Sequence, residues 1–507
     1  MTKVALSAPH RLAVAAGAEA IAAGGNALDA ALAAATTLVV VYPHQCSLGG
    51  DISALVRMPD GTVETVLSLG AAAAGIDVEA IRATGGGMPR QGPLTVTVPG
   101  VVAGWIALAQ LGAKLELERP LLAAATLAAE GAPVSPGLER AIDSRLTAVQ
   151  ADPGLRAVLM PTGKPARGTF EQAALASTLE QLGGDPGGFY HGALAARLAA
   201  GLAQLGSPIT VDDLSAHRVD RSPPLMLRTA NATWWAAPPP AQGATALALL
   251  DADEDGDLLS RARAAHAARG RLLGDPAGGE IAVDGMLHPA PKVRADALSA
   301  PRASGDTVAV TAVDETGLCV SLIQSVFQTF GAGLLEPDSG IVLHNRGSAF
   351  VVLDDRERHA SHPARLEPGL RPPHTLCPLI GESRARSVLV ALGCQGGRAQ
   401  PLILAQVAQD TLQPDRPLQA TLDRPRWVVG DRDLGYEIET VLTEPGAAPP
   451  ALHGLPLASA TRSADDRCGH VQVARLAGTP ARLEAAADPR ADGSATITTS
   501  KQTRSRT

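Results

Sequence analysis

The chain has 507 residues, of which 46% are hydrophobic, 19% charged and 2% aromatic, so its core must be built from Ala, Val and Leu rather than from rings. A net charge of −8, from 43 Lys and Arg against 51 Asp and Glu, disfavours a phosphate-tracking surface, and the scarcity of aromatics removes stacking platforms; no nucleic-acid partner is expected. Residues 30–42 form the longest apolar stretch, too short to span a bilayer, and Pro9-His10 interrupts the start of the chain before a signal-length run develops, so no membrane partner and a cytoplasmic location are expected.

In chain order, residues 12–23 read as a helix closed by Gly24-Gly25. Asn26, with Asp29 three residues later, starts a second helix that Pro43 stops. Residues 52–57 and 62–68 read as two strands of a hairpin around Pro59-Asp60-Gly61. After the loop Gly85-Gly86-Gly87, residues 95–98 read as a strand ending at Pro99-Gly100, and a helix follows to about residue 111. From about 115 to 273 the Ala/Leu spacing is mostly helical. The cluster Asp251-x-Asp253-x-Asp255-Gly256 opens like a calcium loop, but Ala262 stands where the bidentate Glu is needed; a solvated acidic turn is the reading.

The most regular alternation is at 307–313 and 318–325 around the turn Asp314-Glu315-Thr316-Gly317, a second hairpin. A strand at 387–392 runs into Gly393-Cys394-Gln395-Gly396-Gly397 and a helix from about Ala399. The polar tail after about residue 493, rich in Ser, Thr and Arg, reads as disordered. Five scattered cysteines without a CxxC pair fit reduced thiols and supply no zinc framework. His44 with Cys46 and His374 with Cys377 are too sparse for a catalytic pair or a metal site, so no metal and no cofactor are expected.

Ser304-Gly305-Asp306-Thr307 is a flexible approach to a strand whose first residue carries a hydroxyl. Gly305-Asp306-Thr307 by itself is ordinarily just a loop entering a strand. If the Asp306–Thr307 bond is cut, however, the new α-amino group lies beside the Thr307 hydroxyl and can take its proton, so that one residue supplies nucleophile and base. The turn Gly396-Gly397 before a helix presents backbone N–H groups that suit an oxyanion or a phosphate. It lacks GxGxxG, and no Lys-Ser/Thr pair follows, which argues against a nucleotide.

Together with Gly24-Gly25-Asn26-Ala27-Leu28-Asp29-Ala30-Ala31, Pro43-His44, Gly49-Gly50, Val98-Pro99-Gly100-Val101-Val102-Ala103-Gly104-Trp105, Pro238-Pro239-Pro240-x-x-Gly243, Gly340-Ile341-Val342-Leu343-x-Asn345 and Gly469-His470, these pieces resemble the γ-glutamyltransferase family of N-terminal-nucleophile hydrolases, in the same order and over nearly the whole chain. The resemblance implies an α+β fold, a four-layer αββα sandwich. It also implies a proenzyme cleaved between Asp306 and Thr307 into segments 1–306 and 307–507 that share one domain as an αβ heterodimer, or a dimer of these. Thr307 takes the place of the nucleophile, Ser325 of the hydroxyl supporting it, and Gly396 and Gly397 of the oxyanion hole.

Two departures bear on the substrate. The family's glutathione-processing members hold the glutamyl α-carboxylate with an Arg after the first hairpin, yet no Arg lies between Arg57 and Arg82; their ammonium-binding Asp is replaced by Ala349. The phrases Asn345-Arg346-Gly347-Ser348 and Arg371-Pro372-x-His374-Thr375-Leu376 look instead like the branch that includes oxamate amidohydrolase-like proteins. Asn345, Arg346 and His374 are therefore candidate substrate contacts, with Arg346 matched to a carboxylate by its guanidinium fork; a structural salt bridge of Arg346 and a structural loop role for His374 are the alternatives. The expected activity is hydrolysis of an amide of a small carboxylate-bearing molecule through an acyl-enzyme on Thr307. The alternatives are γ-glutamyl transfer or glutathione hydrolysis, C–C bond hydrolysis with the same nucleophile, and an uncleaved, non-catalytic binding relative.

Overall fold

The computed structural model describes residues 2–251, 257–290, 306–353, 362–431 and 434–500. The expected acidic turn lies almost wholly outside them. Two six-stranded antiparallel sheets form the centre of an α+β fold. In the first the strand order is Ser494–Thr499, Lys3–Ala8, Asp306–Asp314, Cys319–Phe327, Asp51–Arg57 and Val63–Ser68. In the second it is Arg482–Ala487, His470–Ala477, Val388–Gln395, Leu379–Ser383, Thr233–Ala236 and Leu225–Arg228.

The sheets pack face to face through small residues. Ala5, Leu55 and Val313 of the first meet Ile380, Ala391 and Ala474 of the second. Gly393 is what lets them approach, since a Cβ there would lie 2.4 Å from Ile323 Cδ1 and 3.0 Å from Ala309 Cβ. The Ser321 hydroxyl donates across the gap to the Leu392 carbonyl at 2.6 Å. On its other face the first sheet is covered by the helices Arg11–Ala22 and Ala27–Val41. The second of these is buried on every side, as a helix with apolar residues on every face must be, and begins with the expected Asn26/Asp29 capping box. Helices Gly243–Leu250 and Gln400–Thr411 cover the second sheet, completing four layers. Because both faces of both sheets are covered, the strand Cys319–Phe327 is buried along its whole length.

Both expected hairpins form, with Ile52 opposite Ser68 and Val313 opposite Cys319. Two expectations fail and a third is borne out with an addition. Residues 95–98 are not a strand: Pro93–Thr95 is a 3₁₀ turn, and beyond it the Thr97 and Val98 amides donate to unrelated partners, His344 Nε2 and the Ala71 carbonyl, so no ladder develops. Within the mainly helical 115–273 stretch, Leu225–Arg228 and Thr233–Ala236 form the edge of the second sheet. Of the tail expected to be disordered, Ser494–Thr499 instead forms the edge strand paired with Lys3–Ala8, and residues 501–507 lie outside the described ones. No helix among the described residues is long and apolar enough to cross a membrane, and the five cysteines are free and buried.

Candidate active site

The site is assembled where the inner strands of the two sheets end. Val308 pairs with Gln324 and Asp306 with Phe327, so the register slips at Thr307, an irregularity of the kind that re-aims a side chain. Thr307, 1% exposed, thereby brings its Oγ1 within 3.0 Å of Ser325 Oγ. Ser325 is held in turn by the Phe327 amide, which donates to its hydroxyl at 2.8 Å. The backbone of Gly50 comes so close that a Cβ would sit 2.4 Å from the Ser325 carbonyl oxygen.

Gly396 and Gly397 follow the strand Val388–Gln395 and precede the helix Gln400–Thr411. Their φ values of 147° and 52° lie where side chains are strained. Such a turn leaves backbone N–H groups at a helix entrance, beside the positive end of its dipole. Gln242 fixes the turn from behind, its Nε2 donating to the Gly397 and Thr375 carbonyls at 2.9 and 2.6 Å.

Arg346 opens the 3₁₀ turn Arg346–Ala349. It is 1% exposed, with its guanidinium carbon 3.6 Å from the centre of the Phe327 ring. Its one hydrogen bond runs from NH2 to Thr375 Oγ1 at 3.2 Å; Nε and NH1 are buried without an acceptor. No ion pair joins Arg346 to a carboxylate among the described residues, so the expected structural alternative, a salt bridge, is not present there. Phe327 itself has a φ of 79°, strain of a sort that clusters at functional sites. Ala349 packs against the same ring.

Asn345 is engaged at both ends of its amide. Its Oδ1 accepts from the Gln328 amide at 3.1 Å and its Nδ2 donates to the Arg90 carbonyl at 2.7 Å, which braces the turn carrying Arg346. His374 is fully buried, and neither ring nitrogen has a hydrogen-bond partner.

One buried acid faces these groups. Asp51 accepts from the Gly70 amide at 2.8 Å; its other oxygen lies 2.9 Å from His344 Nδ1 and 3.9 Å from His374 Nε2. Burial pushes the Asp51 carboxyl up, but His344, His374 and Arg346 together outweigh it and hold it below the usual range. His374 is pushed well below the ordinary imidazole value by burial and then by Arg346. Burial also brings Arg346 down to about 9, with Asp51 opposing the shift. Near neutral pH the region therefore holds a charged guanidinium, a neutral imidazole and one carboxylate. No group of three or more acidic, His or Cys side chains suited to a metal occurs among the described residues.

Asp51, Phe327, His344 and Thr375 carry this arrangement and were not singled out by sequence. Gly49-Gly50 ahead of Asp51 was the available signal, two glycines where backbones nearly touch. The remaining three become recognisable only through their contacts.

Against known proteins, the family model described as Gamma-glutamyltranspeptidase matches residues 13–498. The chain belongs to this family. It is similar to the oxamate amidohydrolase proenzyme of Klebsiella pneumoniae subsp. pneumoniae, with 35% identity over 96% of this chain and 97% of the relative. It is also similar to the glutathione hydrolase-like YwrD proenzyme of Bacillus subtilis, with 31% identity over 97% and 98%. Among solved structures, the cephalosporin acylase from Bacillus halodurans superposes with a TM-score of 0.84 at 26% identity, covering 98% of this chain and 96% of that one. The protein is accordingly an enzyme of the self-processing, N-terminal-nucleophile amidohydrolase type, in agreement with the resemblance read from its motifs.

Proposed function

We propose that the protein hydrolyses an amide of a small, carboxylate-bearing molecule, with Thr307 as nucleophile and Arg346 as the carboxylate anchor. Cleavage of the Asp306–Thr307 bond frees the Thr307 α-amino group, which takes the hydroxyl proton as Oγ1 attacks the amide carbonyl. Ser325 keeps that hydroxyl in place. The oxyanion that forms faces the N–H groups of the Gly396-Gly397 turn; its collapse forms the ester and expels the amine, which leaves with the proton. Water, deprotonated by the same amino group, then releases the acid. Segments 1–306 and 307–507 remain together as an αβ heterodimer.

The observation that supports this reading is the buried, half-satisfied guanidinium of Arg346, joined through Phe327 to the Ser325–Thr307 pair. Asp51 offsets part of the charge of Arg346 but accepts none of its hydrogen bonds; leaving two buried guanidinium nitrogens without an acceptor is costly, and a bound carboxylate removes that cost by accepting two hydrogen bonds. The name of the Klebsiella relative points to the same class of substrate, a short amide beside an acid. The test compares kcat/KM for matched acidic and neutral amides in wild type and Arg346→Ala. Loss of the preference for the acidic amide, with self-cleavage intact, is the expected result. An unchanged preference moves the carboxylate site elsewhere.

A further inference from the structure

Cleavage of the Asp306–Thr307 bond needs a base of its own. The α-amino group that serves turnover does not exist while the Thr307 nitrogen is still an amide, and an amide nitrogen does not take a hydroxyl proton. One buried imidazole at the site, His374, has no part in the chemistry above.

Its place follows from the sheet register. Ala309 pairs with Ile323, and Ile323 with Ser53. One row further along the same faces, Thr307 meets Ser325, and Ser325 pairs with Asp51. Alternate positions of a strand share a face and directly opposite residues are neighbours, so Thr307, Ser325 and Asp51 form one row in the gap between the two sheets. Leu376 packs in one cluster with Ala309 and Ile323 of the row below. His374, two residues earlier, reaches the upper row, with its Nε2 3.9 Å from Asp51 Oδ2. Both of its ring nitrogens are buried without a partner, and Asp51 Oδ2 accepts no well-aligned hydrogen bond.

The charged and titratable groups around the ring are Asp51, Arg346, His344 and Arg371. Burial first and then Arg346 hold His374 neutral, while Asp51 opposes them. Burying an imidazole with both nitrogens unsatisfied is costly, and an apolar side chain would fill the same space without that cost.

We infer that His374 is the base of self-cleavage, taking the proton of Thr307 Oγ1 as that oxygen attacks the Asp306 carbonyl carbon, with Asp51 as the positioning residue for the ring. Asp51 accepts from Nε2–H, which leaves Nδ1 as the proton acceptor and stabilises the imidazolium that forms. The imidazolium then gives its proton to the Thr307 nitrogen as the C–N bond breaks. Oγ1 and that nitrogen belong to one residue, so one ring serves both. The products are an ester of Asp306 on Oγ1 and a free α-amino group. Water, deprotonated by the new amino group, hydrolyses the ester, which releases the Asp306 carboxylate and restores the Thr307 hydroxyl.

The inference rests on Thr307 as the agent of its own cleavage. Its test follows full-length chain, freshly made by cell-free translation, on denaturing gels with time at about pH 6 to 9. A base that is already neutral gives a nearly flat wild-type rate over this range. His374→Gln should slow cleavage about a hundredfold or more, and the residual rate should rise about tenfold per pH unit as hydroxide replaces the missing base. Asp51→Asn should slow the wild-type chain about tenfold or more yet add nothing to His374→Gln, because it acts through the ring. A merely structural histidine would lower the rate by one factor at every pH. Urea unfolding in the Thr307→Ala background shows whether each uncut variant is folded, and His374→Asn replaces a His374→Gln chain that is not. If Thr307→Ala still splits, the reading of the nucleophile fails. If Thr307→Ala stays whole and a folded His374 variant keeps the wild-type rate or a flat pH profile, this inference alone is overturned.

Discussion

Arg346 and Ala349 sit three residues apart in one 3₁₀ turn, both against the Phe327 ring. The turn thereby presents a cation and an apolar wall, where the motif resemblance implies an acid in the family's glutamyl-binding members. A charge-assisted pair contributes about 1.5–3 kcal/mol, so Arg346→Ala should lower kcat/KM for an acidic amide by roughly tenfold to a few hundredfold. Arg346→Lys should recover only part of this, because an ammonium forms no paired fork. The same turn predicts poor handling of amino-acid head groups. An unpaired buried ammonium costs several kcal/mol, so γ-glutamyl-p-nitroanilide should turn over orders of magnitude more slowly than anilides of simple dicarboxylic acids. Comparable rates in a chromogenic assay would contradict the proposed pocket.

At the level of elements, the hairpin Asp306–Asp314 with Cys319–Phe327 owes its place to neighbours far away in sequence. Lys3–Ala8 pairs along one side of it and Asp51–Arg57 along the other. Ser494–Thr499 then closes the exposed edge of Lys3–Ala8 through six cross-strand pairs, at about 0.2–1 kcal/mol each. Deleting residues 494–507 should therefore cost about 1–6 kcal/mol in urea unfolding and uncover a pairing edge. Concentration-dependent association in light scattering is the second expected readout, and a truncated chain as stable and monodisperse as the full one would contradict this role.

For the whole molecule, both sheets mix strands from before and after residue 306, so cutting the Asp306–Thr307 bond leaves two pieces that cannot part without exposing both cores. The 51.7 kDa chain should run as pieces of roughly 31 and 20 kDa on a denaturing gel and as one species in native size exclusion. Thr307→Ala should remain a single chain. Acid should weaken the assembly from an identifiable starting point. Burial lowers His10 to about 4, His44 to about 3 and His374 well below 6.5. The unfolded chain takes up these protons near pH 6.5 while the folded one refuses them. The stability these rings contribute is thus complete above pH 6.5 and is lost as pH falls towards their folded values, by up to about 1.4 kcal/mol per pH unit for each ring. Thermal midpoints should drop from pH 7 to pH 5; a flat or rising profile would show the rings protonated in the folded state.

The residues that make local structure could be read directly. The Asn26/Asp29 capping box, the two hairpins and the strand-glycine-helix turn at Gly396-Gly397 depend on neighbours a few positions apart, and Thr307 is marked by the hydroxyl that leads its strand. Arg346 was nameable, but not its state, because an arginine is an anchor or a salt-bridge partner according to what surrounds it. Only the packed structure could decide that. It left two guanidinium nitrogens of Arg346 buried without an acceptor, brought Asp51 to face two histidines, and paired residues 494–499 of the polar tail, which composition alone makes look disordered, with the chain's own first strand. The physical reason is common to all three: desolvation and pairing are properties of the space around a group, and that space is built from residues hundreds of positions away.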